Sequence, residues 1–368
     1  MAKAKHNFFD KLIVPIAFAF AVALFLGIIA GTVDPQKNIL VAFFGLAYPY
    51  TLFINIIFIA YWLLRKKYIY AGIIVCLVLY GSKTLHATFS FIGEQGAATK
   101  NEQAIRVMTY NVHSFKLYGS NNTQSVKEKM LQVIKDENPD VICMQEFFTR
   151  FRGPYNTIDS LKRLLNTKHY YFMPVSKNDY EAFGLAIFSK YPIKSTGNVP
   201  FQNGVAANMS IYADLDIKGK NLRVYNTHLQ SISFEKEDYD YLDSVKDMHT
   251  KMQPTKRILK RLKTAFLSRS IQVDIMKKEL ENCKSPFVIA GDFNDTPASF
   301  AVTKITSGLQ NTFTEKGSGL GKTYNGKFPN FQIDYIATTK DFEVENYKII
   351  QSKLSDHFPV RSDIKFKL

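Results

Sequence analysis

Three apolar runs open the chain, and a different hydrophobic rhythm follows them. Residues 12–33 and 39–64 contain no charged side chain. Each exceeds the roughly 20 residues that cross a bilayer core. A soluble domain rarely sets two such runs side by side, and a cleaved signal peptide has a shorter apolar stretch. A third run, 69–80, reaches 87–92 only through Gly81, Ser82, Lys83 and His86. Lys83 can snorkel near a helix end, so residues 69–92 are expected to form a third span.

Basic residues set the orientation. Lys3, Lys5 and Lys11 precede the first run, and Arg65, Lys66 and Lys67 separate the second from the third. The first connection, 34–38, holds only Lys37. Cytoplasmic flanks are the basic ones. Three spans therefore place everything after about Ile92 on the far side of the membrane. In a bacterium this means a multi-pass inner-membrane protein with a periplasmic C-terminal domain. Two spans would leave that domain in the cytoplasm.

Residues 93–103 are small and polar, and read as a linker. The remainder, 104–368, reads as one domain with strand-like apolar runs at 105–110, 141–145, 184–188, 208–216, 222–227, 287–290, 333–338, 342–350 and 360–366. Gly219-Lys220 marks a hairpin turn. Val126, Met130, Val133 and Ile134 recur at helical spacing up to Asn138-Pro139. Many strands with few helices predict sheet packed on sheet with helices outside.

The stretch 229–286 has no strand signal. It is acidic at Glu235, Glu237, Asp238, Asp240, Asp243 and Asp247, then basic over 251–270. On a helix, Ile258, Leu259, Leu262, Ala265 and Phe266 share one face, and Lys256, Arg257, Lys260, Arg261 and Lys263 share the other. Such a helix can meet anionic lipid through 256–266, or pack on its own domain with a solvated basic face.

Composition changes this picture little. The chain has 368 residues, 46% hydrophobic, with net charge +15. Removing the eight basic and two acidic residues of the first 92 leaves the domain at +9. That charge suits a polyanion without choosing one. Cys76, Cys143 and Cys283 lack metal-ligand spacing; the first two read as core residues, and no disulfide framework is implied.

The chemistry lies where apolar runs end on polar groups. Six clusters do so: Thr109-Tyr110-Asn111, Gln145-Glu146, Asn226-Thr227-His228, Gly291-Asp292-Phe293-Asn294, Gln332-Ile333-Asp334-Tyr335 and Ser355-Asp356-His357. A charge at a core edge must be paired or bind a cation, so six predict one convergent site. Their oxygens are hard ligands that suit Mg²⁺ or Mn²⁺. An Asp with an Asn two residues on can position a water, and a His held by a carboxylate can act on a phosphate ester oxygen.

In order and local context these clusters resemble the endonuclease/exonuclease/phosphatase superfamily, from about Ile105 to the C-terminus. The resemblance is to a membrane-anchored bacterial member. It implies a four-layer α/β sandwich, two packed mixed β-sheets flanked by helices, here preceded by a helical membrane region. It also implies roles. Glu146 would be the principal Mg²⁺ ligand beside Asn111, with Asp356 a ligand or supporting acceptor. Asp292 and Asn294 would activate water. His228 would contact the scissile phosphate, and His357, oriented by Asp334, would stabilise the transition state. His113 stands where some family nucleases carry an acid, which sets a second metal position in question. The implied substrate is a phosphodiester. Nucleic acid comes first; the alternatives are a lipid headgroup cleaved in sphingomyelinase-like fashion, or an inositol phosphate. A tethered binding module without catalysis is the reading of another class.

Overall fold

The computed structural model describes residues 8–90, 93, 96, 99–116, 124–201, 207–235, 237–238, 240–241, 252–326 and 331–367. Asp243 and Asp247 of the acidic stretch lie outside these. The first two apolar runs are α1 (Phe8–Ile29) and α2 (Ile39–Leu64), both long and apolar enough to cross a membrane. Small residues let them pack closely: a side chain at Gly27 would meet the Phe44 carbonyl at 3.0 Å. At one end Asp10 is fully buried against Arg65 and Tyr61.

The third run is not the single helix expected. It divides into α3 (Tyr68–Tyr80) and α4 (Ser82–Thr88), bent by 69°. α3 alone reaches about 20 Å against a bilayer core of about 30 Å, so a third crossing takes the bent pair α3–α4 together. The break falls at Gly81, where the backbone presses on Ile28. Beyond it, Lys83 and His86 line a cavity between the end of α1 at Ile28 and Ile29 and the C-terminal domain at Thr303 and Glu315. Strand β1 (Phe89–Ser90) follows and pairs with β11 (Gly319–Leu320). Cys76, expected in a core, is exposed on α3.

The domain is a four-layer α/β sandwich. One sheet contains β2 (Ile105–Asn111), β3 (Val141–Arg150), β4 (His169–Lys177), β5 (Glu181–Ser189), β13 (Phe342–Ile349) and β14 (Val360–Phe366), in the order β13-β14-β2-β3-β5-β4. The other contains β6 (Ile193–Pro200), β7 (Met209–Ile217), β8 (Lys220–His228), β9 (Phe287–Asp292), β10 (Gln310–Asn311) and β12 (Asp334–Thr338), in the order β10-β12-β9-β8-β7-β6. Lys218 and Gly219 both have positive φ, which makes the β7–β8 connection the expected tight hairpin. Alternate side chains such as Val107, Cys143, Ile187, Ile211, Val224 and Ala290 meet between the sheets. Outside the first sheet lie α5 (Gln124–Glu137) and α6 (Thr157–Leu164). Outside the second lie α7 (Met252–Asn282) and α8 (Phe300–Thr306), while α9 (Thr312–Lys316) sits at the sandwich edge with Phe313 in the core between the sheets against Tyr347.

The basic amphipathic segment is the first half of α7. Its apolar face is not turned to lipid. Ile258, Leu262 and Phe266 pack on Ile39, Ala42, Phe43 and Leu46 of α2. Phe43 and Phe266 meet edge to face at 5.3 Å. Ser270 donates to Asp34 at 2.6 Å, so the domain docks on the 34–38 end of α1 and α2. Arg65 lies at the other end with Asp10.

A buried ionic network closes the far end of the first sheet. Asp363 takes a bidentate pair from Arg106 at 2.7 and 2.8 Å and lies 3.7 Å from Arg361. Arg361 also holds Glu137, which Lys348 contacts at 2.7 Å. Burial pushes the Glu137 carboxyl up, but Lys348 and Arg361 outweigh this and hold it below the usual range. Asp363→Asn strands the buried Arg106 guanidinium, while Arg361 keeps Glu137. It should cost about 3–5 kcal/mol, read as a lower melting temperature of the full chain in detergent. Glu137 contributes at neutral pH, and its share is lost as pH falls through its lowered pKa. Glu137→Gln should therefore flatten the acid side of the stability profile; an unchanged acid limb would remove Glu137 from it.

Candidate active site

Strand register assembles the site. In the second sheet His228 stands opposite Asp292, and Asp292 opposite Asp334, on the adjacent strands β8, β9 and β12. In the first sheet Asn111 ends β2 opposite Gln145 of β3. All eight residues expected at the site come together at these ends.

Local backbone aims each group. Glu146 sits in a bulge of β3, between Met144 and Phe147, with φ 51°. The extra residue turns its carboxylate out of the sheet and into the cleft. Asn294 has φ 54°, a conformation asparagine tolerates. Gly291 lets β9 approach β8, because a Cβ there would lie 1.9 Å from the Thr227 carbonyl oxygen. Ser355 donates to the Asn111 carbonyl at 2.9 Å and accepts from the His357 backbone N–H at 3.2 Å. That ties the last motif to the first.

Four nitrogens surround one oxygen. Asn111 Nδ2 and Asn294 Nδ2 each donate to Asp292 Oδ2 at 3.1 Å. His228 Nε2 and His357 Nε2 each lie 3.6 Å from the same atom. Asp334 grips His357 Nδ1 at 3.0 and 3.1 Å, which fixes the ring with Nε2 toward the cleft. Burial lowers the His357 pKa, but Asp334, Asp292 and Asp356 outweigh it, so the imidazolium is favoured. Burial raises Asp292, and His357 offsets this in part. His228 Nε2 is buried without a hydrogen-bond partner. An orphaned buried nitrogen beside a carboxylate is a site prepared for a further ligand.

The residues fit a divalent cation. Glu146 and Asp356 both approach His113 Nδ1, at 3.4 and 3.8 Å, and Asn111 Nδ2 is 3.2 Å from Glu146. Burial pushes the Glu146 carboxyl up, yet the hydrogen bond from His113 and the nearby imidazoles hold it at about 2. Its bond to Glu146 raises the His113 pKa. The Glu146 and Asp356 carboxylates thus gather at one corner of the cleft, around His113. Asp292, Asp334 and His357 also form a cluster within 4.8 Å. Asp334 there is already committed to His357, and all three are buried. Mg²⁺ keeps several waters, which suits the more open Glu146 and Asp356 better.

Some partners were not legible. Tyr324 lies against His357, ring centroids 5.7 Å apart, and Thr323 accepts the Ile333 and Asp334 backbone N–H groups. They belong to a segment without strand periodicity. Arg269, paired with Asp295 at 2.8 Å, and Leu46 of α2 also line the cleft. Two other cations of the domain, Arg150 and Lys190, are engaged elsewhere. Arg150 pairs with Glu181 at 3.1 Å, and Lys190 binds Asn138 and lies 3.7 Å from Asp140.

Paired sheets ending on this constellation define a phosphoesterase- or nuclease-like protein. The chain belongs to the endonuclease/exonuclease/phosphatase family, whose profile matches residues 108–265 and 277–357. Enzymes of that family are metal-dependent phosphoester hydrolases. Residues 10–88 match a separate family described as a domain of unknown function (DUF8431). The fold is similar to the human Nocturnin catalytic domain with bound sulfate, at TM-score 0.52 and 19% identity, covering 76% of this chain and 97% of that one. An endonuclease/exonuclease/phosphatase from Bacteroides vulgatus gives 0.51 and 20%, covering 72% and 100%. One from Beutenbergia cavernae gives 0.51 and 18%, covering 72% of each chain. No curated protein matches the sequence.

Gly291→Ala should force β8 and β9 apart beside His228 and Asp292. A misplacement of about 1 Å can cost about a hundredfold in rate. Hydrolysis of bis-p-nitrophenyl phosphate by the full chain measures it; wild-type turnover would show that the close approach is dispensable.

Proposed function

We propose that this protein is a membrane-anchored, Mg²⁺-dependent phosphodiester hydrolase, with Mn²⁺ the alternative ion. Residues 1–92 are its anchor, 93–103 its linker and 104–368 its catalytic domain. The observation that carries the reading is the convergence of four nitrogens on Asp292 Oδ2, beside an acidic corner formed by Glu146 and Asp356.

Glu146, Asn111 and Asp356 would hold the cation, which supplies Lewis-acid neutralisation of phosphoryl charge when bound. Asp292 accepts a proton from the attacking water, and Asn294 and Asn111 hold its carboxylate in place. His228 and the His357 imidazolium donate to non-bridging phosphoryl oxygens, and Asp334 keeps His357 charged and aligned. The new P–O bond forms from water as the ester P–O bond breaks. The leaving alkoxide takes a proton from solvent and Asp292 returns its own, so one phosphodiester and one water give a phosphomonoester and an alcohol. The completeness of this set argues against a binding module without catalysis.

The anchor is read as multi-pass in the inner membrane. The domain docks on the 34–38 end of the helices, opposite the basic 65–67 connection, which favours the periplasmic side. A C-terminal alkaline phosphatase fusion should be active and a green fluorescent fusion dark. The reverse pattern would place the domain in the cytoplasm.

Glu146→Gln should lower turnover at least about a hundredfold by removing ligand charge. EDTA should abolish activity and Mg²⁺ restore it. Wild-type turnover of E146Q at limiting Mg²⁺ would take Glu146 out of the site. Asp292→Asn and His357→Ala should each cut turnover, and the double variant should be little worse than the worse single one. Fully additive losses would separate the two residues into different steps.

A further inference from the structure

We propose that the substrate is a membrane phosphodiester lipid, which reaches the site sideways from the bilayer; this rests on the hydrolase reading above. α2 is longer than a bilayer core is thick. Its 26 residues extend about 39 Å, against a hydrocarbon core of about 30 Å. Arg65, Lys66 and Lys67 hold its C-terminal end in water. Counting about 20 residues back from Leu64 puts the other bilayer boundary near Gly45 and Leu46. The turns before that point project from the bilayer and are covered by Ile258, Leu262 and Phe266 of α7.

Leu46, at that boundary, lines the same cleft as Glu146, Asp292 and His357. The cleft holds about 290 Å³. One wall is polar and carries the chemistry. The other is apolar, formed by Leu46, Ile232, Phe234, Phe266, Phe331 and Ile333. Phe331 also meets Tyr50 of α2 edge to face at 6.3 Å, one turn deeper toward the bilayer. Apolar surface therefore runs from the membrane helix to within the cleft of the catalytic carboxylates.

This two-faced cleft matches a molecule with a phosphodiester at one end and an apolar tail at the other. A polynucleotide would set its charge against the apolar wall and leave it unused. The arginines nearest the cleft on α7 are committed: Arg257 to Asp238, Arg261 to Glu235 and Asp238, Arg269 to Asp295. Lys256, Lys260 and Lys263 stay exposed on α7, whose apolar face lies on the boundary turns of α2. They complement anionic headgroups at that level.

The test uses the full chain in nanodiscs with Mg²⁺. Phosphatidylglycerol, phosphatidylethanolamine and sphingomyelin are each compared with the tail-free headgroup diester, and with a single-stranded DNA oligonucleotide. At least one lipid should be cleaved with kcat/KM about a hundredfold above its tail-free form, because tail binding raises the rate at the phosphate. Leu46→Gln should lower the lipid rate at least about tenfold more than the tail-free rate. With EDTA to stop turnover, wild-type protein should crosslink a diazirine-tailed lipid on peptides carrying Leu46 or Phe331, and unlabelled lipid should compete. Equal rates with and without tails, faster cleavage of DNA, or no crosslink at those peptides would overturn lateral access and leave the hydrolase standing. No Mg²⁺-dependent cleavage of any diester would overturn both.

Discussion

Everything at the site depends on the two sheets keeping their ends level, and a buried amide contact does this. Gln145 of the first sheet donates to Asn226 of the second at 2.6 Å. Asn226 in turn donates to the Met144 and Ala186 carbonyls, both at 2.9 Å, across the sandwich. Both side chains are fully buried. Hydrophobic packing between sheets is non-directional and would tolerate sliding. A buried carboxamide loses its partner if the sheets slide, and the unmet desolvation cost opposes it. The contact lies one residue before Glu146 on one strand and two before His228 on the other. It fixes the relative position of the Glu146–Asp356 corner and the His228 and His357 imidazoles.

The same logic extends to the membrane helices. The loop after Asp292 runs through Asp295, held by Arg269, to Ala298, which packs among Leu24, Ile28, Tyr48 and Leu52 of α1 and α2. Gly45 permits this approach, since a Cβ there would lie 2.8 Å from Ala30 and 3.4 Å from the Ala298 carbonyl. The loop that begins at Asp292 is thus seated on α1 and α2. The N-terminal helices position the domain's cleft.

Much of this was legible in the chain. The central strands ended close to where their apolar runs ended, because each is buried on one or both faces. β4 and β6 were missed: their exposed edge positions carry little periodicity. The six polar clusters were readable because burial makes a charged strand end expensive without a purpose. Tyr324, Arg269 and Leu46 were not, because nothing in their local sequence distinguishes them from ordinary turn, helix-face and membrane-helix residues.

Sequence by itself determined the two long membrane helices, the alternation of strands that makes a sandwich, and the eight side chains that meet at its end. These follow from local chemistry: apolar length, period and the cost of burying charge. Tertiary structure decided what α7 does with its apolar face, where the third run breaks, and that the cleft opens beside α2. Each of those depends on which surface a given face finds. Ile258, Leu262 and Phe266 would suit lipid, the domain's own sheet or α2 equally well by hydrophobicity. Only the docking of the domain on the 34–38 end of the helices selects among them.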